Sequence, residues 1–178
     1  MTRKLKAIIA IGLSISWLAL SLSAATVNAA GVQFAALIAP RADVTLAFED
    51  GSERLFRLVQ REGKTRGGPL DGTTMREWGT HELTPTEAQG RGYLVFTHAS
   101  GDIAYLRFQW VARGIPTSGG DISPRLAGSW DVAGGTGRFS SLTGVGTVRI
   151  DMPSTSERYW VFEGDMNISQ ALSDIQSN

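Results

Sequence analysis

Residues 130–150 read Trp130-Asp131-Val132-Ala133-Gly134-Gly135-Thr136-Gly137-Arg138-Phe139-Ser140-Ser141-Leu142-Thr143-Gly144-Val145-Gly146-Thr147-Val148-Arg149-Ile150. A strand-like run ends at Val132, a glycine cluster follows, and Phe139 and Leu142 form a short apolar link. A second run then begins in which Gly144 and Gly146 alternate with other residues. Glycine supplies the positive φ angles of tight turns and lets backbones approach closely, so the stretch reads as a strand, a bend and a second strand. It is not a phosphate loop, since no Lys-Ser/Thr follows Gly137 and no helix begins there. Nor is Gly144-x-Gly146 a dinucleotide signature, because no βαβ unit surrounds it. The role left to Gly134, Gly135, Thr136, Gly137, Gly144 and Gly146 is conformational: they bend and narrow a sheet, while Trp130, Phe139 and Val148 pack.

Working outward, Ile103 to Ala112 carries the clearest alternation in the chain. Ala104, Leu106, Phe108 and Trp110 fall on one face and Tyr105, Arg107 and Gln109 on the other, the period-two pattern of a half-buried strand. Gly92 to His98 and Thr74 to Leu83 precede it, with Ala99-Ser100-Gly101-Asp102 short enough to close a hairpin. Further upstream, Val44 to Phe48 and Arg54 to Gln60 flank the Asp50-Gly51 hairpin signal, and Gly31 to Ile38 is a first strand or an extended lead-in. Arg61 to Gly72 and Gly114 to Pro124, polar and rich in Gly and Pro, read as loops. Leu126 to Val132, Gly144 to Ile150 and Arg158 to Glu163 bring the total to about eight strands, with a turn at Met152 to Ser156. No amphipathic helix of useful length follows residue 30, and the polar tail holds at most a short helix around Ser169 to Ile175. Short alternating strands with glycine-rich turns argue for an antiparallel barrel or sandwich; the central glycines favour an eight-stranded antiparallel barrel, because closing a sheet needs bends and small inward residues.

The 178 residues suit one domain with a real core. Residues 1–29 read as a signal peptide: Arg3, Lys4 and Lys6 lead into an apolar run from Ala7 to about Leu22, and Val27-Asn28-Ala29 fits cleavage after Ala29. The alternative is an uncleaved anchor, which the serines at 14, 16, 21 and 23 disfavour. Residues 30–166 would then form the barrel and 167–178 a polar tail. Losing the first 29 residues leaves 14 basic against 17 acidic side chains, a balance with no basic field for nucleic acid. With no cysteine, an exported chain must be held by packing and hydrogen bonds, and lipid anchoring through cysteine and thiolate metal sites are excluded. A periplasmic or secreted protein without membrane attachment after cleavage is the expectation.

The segment Trp130-x-Val132-x-Gly134-Gly135-Thr136-Gly137-Arg138-Phe139, followed by Leu142-Thr143-Gly144-x-Gly146, resembles the Gly-Gly-Thr-Gly-(Arg/Lys)-Phe segment of the allene oxide cyclase and dirigent families and their bacterial barrel relatives. Gly101-Asp102-Ile103-x-Tyr105-x-Arg107-Phe108 is similar to the hairpin that precedes it. The resemblance covers Gly92 to Ile150, about a third of the chain. It implies an eight-stranded barrel with an apolar cavity for a small hydrophobic molecule, often trimeric, and in plant members a role in steering cyclisation or radical coupling. It assigns no catalytic role to the glycine motif, and the plant acid residues find no match here.

The sequence has two histidines, His81 and His98. With Met75 and Leu83 inward, alternation puts Glu77, Gly79 and His81 on the inner face of one strand. With Leu94 and Phe96 inward, His98 follows on the next. Glu77, His81 and His98 would then share one cavity, Glu77 and His81 as acid and base, with His98, Phe96, Phe108 and Trp110 contacting ligand. The competing reading places the histidines at a rim as hydrogen-bonding partners and the aromatics as plain core; one bulge would reverse the faces. The spacing does not support a metal site, and no cofactor is implied. Two functions follow: a ligand-binding barrel, in its enzymatic form a cofactor-independent cyclase or isomerase, or a non-catalytic module packed solid.

Overall fold

The computed structural model describes residues 31–116 and 122–168. Eight strands run in chain order around a closed barrel: β1 (Gly31–Ala47), β2 (Leu55–Arg66), β3 (Thr74–Leu83), β4 (Ala88–Thr97), β5 (Ile103–Pro116), β6 (Ile122–Gly135), β7 (Leu142–Asp151) and β8 (Arg158–Ile168). Every neighbouring pair is antiparallel, and β1 closes the ring on β8 through Phe34↔Phe162 and Ala36↔Trp160. The expected eight-stranded barrel is thus observed. The proposed signal peptide and the helix around 169–175 lie outside the described residues.

Alternation decides what enters the core. On β5, Ala104, Leu106, Phe108 and Trp110 are buried, and on β8 Trp160, Phe162 and Met166 face them. Phe34 stacks on Phe162 at 4.5 Å, and Phe108 meets Trp160 edge-on at 5.1 Å. Each such side chain contributes about 1.5–3 kcal/mol through burial. Trp130 explains the alternating glycines of β7. It pairs with Gly146, and a Cβ added there would lie 2.7 Å from its indole. The indole therefore lies flat against β7 and donates its N–H to the Thr147 carbonyl at 3.0 Å.

Two expectations change. β1 is one strand of 17 residues where two runs separated by Pro40 were expected. The register shifts between Pro40 and Ala42, and such a bulge accommodates a residue with no N–H to donate. The presumed loop from Arg61 is strand as far as Arg66; its inward side chains, Arg61 and Thr65, are polar but buried, so the apolar alternation that betrays a strand is absent. Similarly β5 and β6 continue to Pro116 and from Ile122, shortening the second loop.

Strand direction defines two ends. The β2–β3, β4–β5 and β6–β7 connections lie at one, where two 3-10 turns, Gly68–Leu70 and Gly137–Phe139, carry Leu70 and Phe139 fully out of solvent. The β1–β2, β3–β4, β5–β6 and β7–β8 connections lie at the other.

Candidate functional site

At that second end the barrel encloses a cavity of 210 Å³ whose lining includes Arg57, Arg61, Glu77, His81, Trp110, Leu126, Ile150, Arg158 and Trp160. Register builds it. Arg61 on β2 lies directly opposite Glu77 on β3, and Arg57 lies opposite His81, so a four-residue step along each strand keeps both pairs on the inner face. His81 in turn pairs with Gly90, which pairs with Trp110. A Cβ on Gly90 would come 2.3 Å from the Trp110 ring; glycine here is what lets the indole lie across β4 and touch His81, edge-on at 4.8 Å.

Glu77 is fully buried, and Arg61 and His81 nearly so. The Arg61 Nη1 donates to Glu77 Oε2 at 3.0 Å, and His81 Nε2 lies 3.0 Å from Oε1. With Arg61 donating to one carboxylate oxygen, His81 Nε2 is placed to donate to the other, and in the neutral ring with that tautomer Nδ1 carries the lone pair. Removing one partner from a buried ion pair costs about 3–5 kcal/mol. Three buried donors at this end, Arg61 Nε and the indole N–H groups of Trp110 and Trp160, have no hydrogen-bond partner among the described residues. Leaving such a donor dry costs about 1–3 kcal/mol. At the rim, Arg57 is paired with Asp43. Arg158 donates to the Glu157 carbonyl at 2.7 Å and makes no ion pair among the described residues. Burial, followed by the positive charge of Arg61, holds the Arg158 guanidinium below its ordinary pKa.

The structure brings Glu77, His81 and Trp110 together. It does not bring His98 to them. His98 sits at the opposite end, where its Nδ1 is 2.8 Å from Ser100 Oγ, its Nε2 is 3.1 Å from Arg138 Nη1, and its ring packs on Phe139. Phe96 lies in the core between Phe34 and Phe162, and Phe108 sits under Trp160; neither lines the cavity. Strand direction sends the His98 end of β4 away from the His81 end of β3. Arg57, Arg61 and Arg158, which also line the cavity, carry no signal in the sequence reading. Only the cross-strand register opposite Glu77 and His81 marks the two β2 arginines, and a run taken for a loop has no register.

Among the described residues no three His, Cys, Asp or Glu side chains gather as a metal site would require. A larger depression of 820 Å³ lies on the outer wall, lined by Val44, Leu58, Trp78, Tyr93 and Arg107. It is open to solvent, and Arg107 there is already paired with Asp131 at 2.6 Å.

No family model and no curated protein matches the sequence. Among solved structures, the chain is similar to a protein with unknown function from Clostridium acetobutylicum ATCC 824, with 10% identity over 75% of this chain and 96% of that one and a TM-score of 0.49. It is also similar to a conserved protein of unknown function from Rhodopseudomonas palustris, with 10% identity over 76% and 95% of the two chains and a TM-score of 0.45.

Proposed function

We propose that this protein binds a small, largely apolar molecule in the cavity at the Arg61–Glu77–His81 end of its barrel. The observation that carries the reading is the coincidence, among the residues lining one 210 Å³ space, of apolar walls with side chains whose buried donors lack partners among the described residues. Ligand pockets combine an apolar lining with a few convergent polar groups, whereas a core built only for stability leaves few buried donors unsatisfied. The resemblance to the allene oxide cyclase and dirigent barrels points the same way. Native mass spectrometry of the purified protein, incubated with 1-octanol as an apolar probe, tests it. A 1:1 complex is expected, and it should disappear in Ala112→Phe, which fills the cavity from β5. A wild-type protein that holds no probe, or an Ala112→Phe variant that holds it equally well, overturns the reading.

A second reading, the enzymatic one, has its own observation: the 3.0 Å Glu77–His81 contact at the cavity wall. Glu77, held by Arg61, fixes the imidazole through Nε2–H and leaves Nδ1 to accept a proton from a bound molecule, the arrangement of a general base. Return of that proton to another carbon would shift a double bond and so isomerise the ligand without a cofactor. His81→Gln keeps a donor to Glu77 but has no basic nitrogen, so it should retain binding and abolish turnover. Turnover unchanged in that variant contradicts the base assignment.

A further inference from the structure

The charge and hydrogen-bonding character of the cavity narrows its ligand. Its lining contains the guanidinium groups of Arg57, Arg61 and Arg158 and one carboxylate, Glu77. Both oxygens of Glu77 are occupied. Asp43, outside the lining, compensates Arg57, and Glu77 compensates Arg61. Arg158 is left with backbone carbonyls alone, so, His81 aside, these groups carry one uncompensated positive charge. The unpartnered buried atoms here, Arg61 Nε and the two indole nitrogens, are all donors, because neither an arginine nor an indole nitrogen can accept. A group that only accepts, and carries one negative charge, complements this set. The lining also includes Leu126, Ile150 and the Trp110 and Trp160 rings, which suit an apolar body. The volume equals about seven waters at ~30 Å³ each, so the molecule is small.

We infer that the ligand is a small amphipathic monocarboxylate, its carboxylate held by Arg158 and its apolar part against the Trp110 and Trp160 rings. The inference rests on the binding function proposed above and adds the head-group chemistry.

Isothermal titration calorimetry of the full-length protein with octanoate, 1-octanol and octylamine separates the two. Octanoate should bind about tenfold or more tightly than octanol, as a charge-assisted hydrogen bond allows, and octylamine should bind most weakly. Arg158→Gln, a half-buried rim substitution, should abolish the preference for octanoate over octanol. Raising the salt concentration should erode the preference of the wild type. If octanol binds as tightly as octanoate, the cavity is a neutral apolar pocket: the carboxylate assignment is overturned and the binding function stands. If none of the three binds, both fall. An octanoate preference that survives Arg158→Gln with its salt dependence intact places the anion elsewhere and also overturns the assignment.

Discussion

At one end of the barrel Leu70 and Phe139, each on its own 3-10 turn, are sealed from solvent over an aromatic core; at the other, Arg61, Glu77 and His81 line a 210 Å³ cavity ringed by Arg57, Arg158 and Met152. Both ends are made from the same alternating strands. The sealed end fills most of its inner face with apolar side chains, with Thr65 and Thr73 as buried polar exceptions, Thr73 bonded to the Leu70 carbonyl and Thr65 Oγ1 without a partner among the described residues. The other end buries an ion pair that contributes less than an apolar pair of equal volume, and beside it three donors without partners among the described residues. The difference teaches where stability and function part company in this fold. Stability resides in the sealed end and the aromatic core, and the cavity end holds groups that a folding requirement does not explain.

Substitutions can break that division. The largest expected loss is at the sealed end: Phe139→Ala removes a fully buried ring and should cost about 4 kcal/mol, read by urea denaturation, with ligand binding retained in the folded fraction. Glu77→Leu should cost about 3 kcal/mol by stranding Arg61 in the interior. The double variant Arg61→Met/Glu77→Leu should recover to within about 1 kcal/mol of wild type, or exceed it, and still fail to bind. A double variant as unstable as the single one would mean that the pair is structural, and the contrast between the ends would collapse. Gly137→Val should cost about 2 kcal/mol or more. Its φ is +52°, and a Cβ would lie 1.8 Å from Asp102 Oδ1; thermal unfolding at the wild-type temperature would contradict the bend. Arg158→Gln sharpens the comparison from the other side, with stability within about 0.5 kcal/mol of wild type and weakened octanoate binding.

The smallest effect belongs to the β1–β2 hairpin. Hydrogen bonds from the Ser52 side chain and backbone, reinforced by Arg54, lower the Asp50 carboxyl from 3.8 to about 2. A value lower in the folded state means that ionisation favours the folded hairpin. That contribution is complete above 3.8 and lost as pH falls through about 2. An NMR titration of Asp50 should show the low midpoint, and a midpoint at the ordinary value would show that the turn is not so bonded.

The Phe139 side of the sealed end was legible in the sequence because its signals are local, whereas Leu70 lies in a stretch that reads as a loop. The glycine cluster, Thr136 and Phe139 lie within a few residues, and the structure ties them to the neighbouring hairpin through Ile103 N–H to Thr136 Oγ1 at 2.9 Å and Thr136 N–H to the Ile103 carbonyl at 2.7 Å. The β3 face of the cavity was legible too, since alternation from Met75 brings Glu77 and His81 inward. What was not legible depends on pairing between strands. Arg61 became visible as an inward residue only through its register with Glu77, for a polar side chain on an inner face imitates a loop. The placement of His98 required the direction of β4 relative to β3, a property that alternation within a single strand does not carry.

The most direct measurement is a 1H–15N spectrum of the indole N–H groups during a titration with octanoate. The Trp110 and Trp160 signals should move, since both residues line the cavity and their N–H groups have no partner among the described residues. Those of Trp130, bonded to the Thr147 carbonyl, and Trp78, on the outer wall, should stay where they are. Trp110 and Trp160 unmoved at saturation, or Trp78 moving alone, would contradict a binding site inside the open end of the barrel.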